Sequence, residues 1–253
     1  VNDLEPGVTY YITVTAVNDA PVLASAAPVL NPLTEDDTTN AGQTVASFIG
    51  STISDVDSGA TTGIAITATN NGNGHWQYST DGGSTWTTVS GLDGSNGLLL
   101  ADTDKIRFVP NAENATSPSF SYRAWDRTVG TAGSLAAISA TGTTSPYSTD
   151  QNTASIVVSA VNDAPVLAAG NTTLNTLTED AASNAGQTVA SLRGTTTDVD
   201  AGAVQGLAIT SLGSGNGIWQ YSTDGGDTWT NADAGGPVSA THALLLRDAD
   251  RLR

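Results

Sequence analysis

Most of this sequence is written twice. VNDAPVL at 17–23 returns at 161–167, LTED at 33–36 returns at 177–180, and NAGQTVAS at 40–47 returns at 184–191. DVD stands at 55–57 and 198–200, WQYSTDGGSTWT at 76–87 has the near copy WQYSTDGGDTWT at 219–230, and LLLADTDKIR at 98–107 reappears as LLLRDADRLR at 244–253. The order of the blocks never changes, which predicts successive copies of one folding unit. The first copy runs from 17 to 160. The second, 161–253, is expected to be incomplete at its C-terminal end, because it stops where the first continues into FVPNAENATSPSFSYRAWD. Residues 1–16 lie outside both copies, and the whole is read as a piece of a longer chain.

Within the first copy a period of two is plain. GIAITAT (63–69), HWQYST (75–80), KIRFVP (105–110), SFSYRAW (119–125) and ASIVVSAV (154–161) alternate or carry β-branched runs, each bounded by Gly, Asn, Asp or Pro. No apolar pattern with a helical period runs beyond a few turns, so short strands joined by loops are expected, without helices. Strands at this spacing predict an all-β fold of tandem antiparallel β-sandwiches. The copy is longer than an ordinary immunoglobulin-like domain, and the surplus falls in 127–152, expected to be a long loop or an extra hairpin. Residues 4–16, LEPGVTYYITVTA, resemble the penultimate strand of a fibronectin type III domain through Leu4, Pro6, Gly7 and Tyr10. Residues 1–16 are expected to form the terminal strand of a preceding β domain.

The charge narrows the partners. Twenty-five acids against eight bases give a net charge of −17, which argues against nucleic acid and anionic membranes, since both require clustered Lys and Arg. Cations are the natural counterpart. There is no Cys, as expected of a bacterial secreted protein that relies on neither disulfides nor thiolate metal sites. No apolar stretch approaches the roughly 18 residues that a membrane span needs.

Residues 79–86 and 222–229 follow the S-x-D-x-G-x-T-W pattern and so resemble the Asp-box of sialidase-like propellers. The box implies a hairpin corner built on Asp81, Gly82, Gly83 and Trp86, and on Asp224, Gly225, Gly226 and Trp229. Asp-Gly-Gly permits positive φ at such a turn, and Trp76 and Trp86 are expected to pair across it. A sialidase also needs an arginine cluster, yet the complete copy holds only Arg107, Arg123 and Arg127. Propeller blades would recur at about 40–50 residues. His75 aligns with Ile218 and His242 with Asn96, so no histidine is shared, and without Cys no repeated Ser-His-Asp or Cys-His site exists. Lys105 is replaced by Arg251, which closes a repeated isopeptide cross-link. A non-enzymatic protein is expected.

What both copies share is acid-rich corners. Carboxylates two apart on an extended backbone face the same way and can converge on one ion, and hard cations take about six to eight oxygens, of the kind Asp, Asn and carbonyls supply. An EF-hand loop would need Glu at its twelfth position, where Ile66 and Ile209 stand. The bland alternative is that these Asp residues cap turns by bonding their own backbone, the reading favoured for Asp102 and Asp104.

VNDAP, DVDSG and Tyr122-Arg123-Ala124-Trp125-Asp126 together resemble the cadherin-like repeats of giant bacterial surface proteins, over most of residues 17–253. The resemblance implies Ca²⁺ ligands at Asn18, Asp19, Asp55, Asp57 and Asp126, and in the second copy at Asn162, Asp163, Asp198 and Asp200. Glu35 and Glu179 would stand in for the acidic residue near the base of the first strand. The separate D-R-E motif of the animal pattern is missing, which implies one or two ions per junction. The expected function is that of a Ca²⁺-stiffened extender in an adhesin stalk or filament shaft, secreted and held outside the cell or on its surface. Its partners would be neighbouring repeats of the same chain, with any glycan or cell-surface target elsewhere in the protein. Two alternatives stand beside this: identical chains assembling into a fibre or sheath, and a carbohydrate-binding face made of Trp76, Trp86, Trp125, Trp219 and Trp229.

Overall fold

The structure, a computed structural model, describes residues 7–181 and 183–253. Leu4 and Pro6, on which part of the fibronectin-like reading rests, lie outside the described residues. The chain divides into two compact units, Val1–Val161 and Asn162–Arg253. The fold is all-β: among the described residues the only helices are two single turns, α1 (Val45–Ile49) and α2 (Val189–Leu192).

The first unit runs β1 (Val22–Leu23), β2 (Leu33–Thr34), β3 (Gln43–Thr44), α1, β4 (Ile53–Ser54), β5 (Gly63–Asn70), β6 (Gly74–Ser79), β7 (Thr87–Thr88), β8 (Asn96–Ala101), β9 (Lys105–Pro110), β10 (Ser119–Trp125), β11 (Leu135–Ala137), β12 (Asn152–Ser155) and β13 (Val158–Ser159). A five-stranded sheet has the order β11-β8-β5-β10-β12 and a four-stranded sheet the order β3-β9-β6-β7. Two further pairs stand apart, β1 antiparallel to β4 and β2 parallel to β13. In the parallel pair the amides of Leu30, Leu33 and Glu35 donate to the carbonyls of Ser155, Val157 and Ser159 at 2.8, 3.0 and 3.0 Å.

Period-two alternation decides which side chains go inward. Ile106 and Phe108 of β9 and Phe120, Tyr122 and Ala124 of β10 are buried, while their neighbours stay partly exposed. Trp76 of β6 meets Phe108 and Phe120 edge-on, with ring centroids 5.2 and 4.9 Å apart, so the two sheets share one core. β5 and β8 depart from alternation because both their faces are covered. Ala65 and Leu99 face a second cluster with Trp125 and Tyr147, packed by Ala132, Ala136 and Ile138 from the surplus segment 127–152. That segment is neither a bare loop nor a hairpin of its own: it lays β11 against the edge strand β8 and covers the sheet's outer face.

α1 is a departure from the helix-free expectation. The unpaired amides of its first turn, Val45 and Ala46, donate to the Asp104 and Asp102 carbonyls, so backbone from the β8–β9 turn does the work of a side-chain cap. Gly50, at φ 51°, ends it. Val45 and Ile49 bury one side, too short a run to leave a periodic signal.

The second unit runs β14 (Val166–Leu167), β15 (Gln187–Thr188), α2, β16 (Thr196–Thr197), β17 (Gly206–Ile209), β18 (Gln220–Ser222), β19 (Thr230–Asn231), β20 (Leu244–Arg247) and β21 (Arg251–Leu252). Repeated sequence blocks take the same partners as in the first unit: β14 pairs with β16, β17 with β20, and β15-β21-β18-β19 form a sheet. Its core is smaller, built on Val189, Leu246 and Leu252. Among the described residues the unit shows no counterparts of β10–β13, and Leu245, which matches the buried Leu99, is 74% exposed. Residues 7–16, expected as a strand, belong to no strand among the described residues.

Candidate functional site

The acidic residues singled out around the leading end of the first unit come together there. Asn18 donates through Nδ2 to Asp126 Oδ2 at 2.9 Å, the Asp19 amide donates to Asp57 Oδ2 at 2.8 Å, and the Asp57 amide to Asp55 Oδ1 at 2.9 Å. Five predicted residues thus form one hydrogen-bonded chain in the order Asp126, Asn18, Asp19, Asp57, Asp55. Local chemistry builds each part. Asp55 caps its own turn, and Gly59 supplies the positive φ of 79° with which the DVDSG loop turns back. Asp126 follows the last residue of β10, Trp125, whose ring is buried and whose Nε1 donates to the Val129 carbonyl.

Turn capping accounts for only half of the Asp55 carboxylate. Its Oδ1 is used; its Oδ2 is buried and has no hydrogen-bond partner. Asp126 is buried and uses Oδ1 to accept from the Thr128 amide and hydroxyl at 2.8 and 2.6 Å. Both ion pairs among the described residues, Arg127–Asp102 and Arg193–Asp248, leave these acids uncompensated. A cleft of about 410 Å³ opens beside Asp19, Asp55 and Asp150. No three of these carboxylates lie within 4.8 Å of one another, so the corner is linked through backbone amides and Asn18, and the orphaned buried oxygen of Asp55 carries a desolvation cost. The donor set is all oxygen, which suits a hard divalent cation. Thr128 was not legible as a participant beforehand, although D-x-T is a recognisable side-chain-to-backbone turn.

The second unit repeats the same bonds. The Asp163 amide donates to Asp200 Oδ2 at 2.9 Å, the Asp200 amide to Asp198 Oδ1 at 3.0 Å, and Asn162 Nδ2 to the Asp163 carbonyl at 2.9 Å. It contains no counterpart of Asp126.

Glu35 is not brought to the corner of Asp55 and Asp57. It lies just past β2, which pairs with β13 near the start of β10, whereas Asp126 follows the end of β10. A strand of that length separates them by on the order of 20 Å. Glu35 is fully buried; Oε1 accepts from the Val161 amide at 2.7 Å and Oε2 has no hydrogen-bond partner. Glu179 is exposed. Asp102 and Asp104 serve the β8–β9 turn: Asp104 Oδ2 accepts from the Ala101 amide at 2.7 Å, and Asp102 pairs with Arg127 at 3.5 Å. Burial raises the Asp104 pKa above the ordinary carboxylate range.

The repeated dodecamer turns a corner. Asp81 accepts from the Thr85 amide and hydroxyl at 2.9 and 2.6 Å and from the Ser79 hydroxyl at 2.7 Å; Asp224 repeats this with Thr228 and Ser222. These bonds, led by that of the threonine hydroxyl, hold both carboxyls well below the usual range. Gly82 and Gly83 take φ 76° and 98°, and Gly225 and Gly226 take 82° and 109°. The expected pairing of Trp76 with Trp86 is corrected. Strands β6 and β7 set Gln77 against Thr88 and Tyr78 against Thr87; Trp76 turns into the core, while Trp86 lies under the Arg107 guanidinium, 4.1 Å from the ring centre. Arg253 covers Trp229 in the same way, at 3.9 Å.

Compared with protein-family models, curated proteins and solved structures, the chain gives no match. The functional reading rests on the residues themselves.

Proposed function

We propose that this chain is a Ca²⁺-stiffened extender of a large secreted bacterial surface protein, made of tandem β-sandwiches and without enzymatic activity. The observation that carries the reading is the buried, unpartnered Oδ2 of Asp55, in a corner where Asn18, Asp19, Asp57 and Asp126 are already linked. Asn18 and Asp19 belong to the segment by which the chain enters the first unit, while Asp55, Asp57 and Asp126 belong to its body. A divalent cation held by these oxygens would tie that segment to the body. Without it the carboxylates repel and the segment swings; with it the direction in which the chain enters is fixed. Asn162, Asp163, Asp198 and Asp200 would do the same for the second unit. Extracellular modules of this kind bind Ca²⁺ with Kd of about 10⁻⁴–10⁻³ M, so such sites fill outside cells and empty inside.

The carbohydrate-binding alternative is left with Trp219, half-buried beside an open groove. Trp76 and Trp125 are each 1% exposed, and Trp86 and Trp229 each have one face covered by arginine. The test of the extender reading is thermal melting in Ca²⁺ against a chelator: a rise in Tm with Ca²⁺ that EGTA reverses is expected, and an unchanged Tm would refute it.

A further inference from the structure

Both units carry the same set of polar side chains on the outer face of the four-stranded sheet, but the two sets end on different partners. In the first unit Arg107 of β9 stacks over Trp86 and donates through Nε and Nη2 to Gln77 Oε1 at 2.9 and 2.7 Å. Its Nη1 donates to the Asn40 carbonyl at 2.9 Å. One guanidinium thus ties β9 to β6, to the approach to β3 and to the corner of the dodecamer. In the second unit Arg253 does the same over Trp229, with Gln220 Oε1 at 2.9 Å and the Asn184 carbonyl at 3.0 Å. The difference lies one side chain further out. Gln220 Nε2 donates to Asn231 Oδ1 at 3.0 Å, on the strand opposite. Gln77 has Thr88 opposite instead, and its Nε2 meets His75 Nε2 at 3.2 Å.

Elimination places the protons in the first unit. A guanidinium has donors only, so the Gln77 amide oxygen faces Arg107 and its NH2 faces His75. His75 Nε2 must then accept, which requires a neutral ring with its proton on Nδ1. An imidazolium has a donor on each nitrogen and cannot accept from Gln77 at all. Histidine is the side chain that ordinarily changes charge between about pH 5 and 8, whereas an asparagine oxygen accepts throughout that range. Beside His75, the charged groups that the strands carry outward on this face are Lys105 and Arg107 of β9; Val109 stands opposite His75, with Thr88 on β7 and Thr44 on β3. None of these four strands carries a carboxylate that would hold a protonated His75 in place.

We infer that the first unit carries a pH-sensitive latch where the second has a fixed one. Neutral His75 orients Gln77, Gln77 holds Arg107, and Arg107 covers Trp86. When His75 takes up a proton its bond to Gln77 is lost, the amide is free to turn, and the guanidinium loses its fixed acceptor. Acidification therefore loosens the dodecamer corner of the first unit and leaves that of the second as it was. The latch shares no residue with the corner of Asp55 and involves no cation, so it stands apart from the extender reading.

The test is NMR of the full chain in EGTA, following the side-chain Nε–H signals of Arg107 and Arg253 from pH 8 to pH 5. In the wild type the Arg107 signal should shift in one step, together with the His75 ring protons, while that of Arg253 stays in place. His75→Gln keeps an acceptor without the titration and should hold the Arg107 signal at its pH 8 position throughout. Thr88→Asn supplies the acceptor of the second unit beside an intact His75 and should likewise remove the shift. Both substitutions lie on the outer face, which leaves the core intact. An Arg107 signal that ignores the His75 titration, one that shifts equally in His75→Gln, or one that shifts in Thr88→Asn as in the wild type would each overturn the inference.

Discussion

Replacing Asp55 by Asn separates the two roles of its carboxylate. Asn keeps the Oδ1 that accepts from the Asp57 amide and removes the charge from the buried, unpartnered Oδ2. In chelator the substitution should stabilise the first unit, because it removes a charge that is partly buried without a cationic partner, worth on the order of 1 kcal/mol. For a unit the size of Val1–Val161 that raises Tm by about 2–4 °C. In about 10 mM Ca²⁺ the order should reverse. A site with Kd of about 10⁻⁴–10⁻³ M then contributes roughly 1.4–2.7 kcal/mol to the wild type, or about 3–10 °C. The variant should lose most of that gain. Differential scanning calorimetry of both proteins, with and without EGTA, gives the four melting temperatures. If the variant gains as much from Ca²⁺ as the wild type, Asp55 is not a ligand and the corner is only a capped turn.

Two further outcomes follow from packing and charge. Trp76→Ala should cost about 3–5 kcal/mol, because the ring is 1% exposed against Phe108 and Phe120. Trp219→Ala, at the half-buried counterpart, should cost well under half of that by denaturant unfolding. Asp81 and Asp224 have folded pKa values below their unfolded ones, so their contribution is present above the ordinary carboxylate pKa and lost as pH falls through the folded value. Asp81→Asn together with Asp224→Asn should therefore flatten the acid limb of the stability curve below about pH 4, and an unchanged limb would show that the threonine bonds contribute nothing.

The sequence spoke most clearly where a signal is local. Alternation in KIRFVP and SFSYRAW marks β9 and β10 because each has one buried face. The DVD and NDAP blocks mark their corner because an Asp caps its turn within two residues. It was silent where tertiary contacts decide. Leu98-Leu99-Leu100 does not alternate, since segment 127–152 covers the outer face of β8. α1 rests on carbonyls from a turn more than fifty residues away. Trp76 and Trp86 flank one corner in sequence yet part company, because the core takes one ring and Arg107 the other. The remote position of Glu35 follows from the parallel pairing of β2 with β13, which no local pattern records.

That pairing also sets how the first unit bears a load. A pull on its two ends drags β2 toward its own beginning and β13 toward its own finish, and the two run in the same direction. They must then slide lengthwise past each other, so the bonds at Leu30, Leu33 and Glu35, with the Val161–Glu35 bond beside them, share the tension and yield together. An unzipping hairpin would surrender them singly. The parallel geometry therefore loads this pair in shear when the unit is stretched end to end.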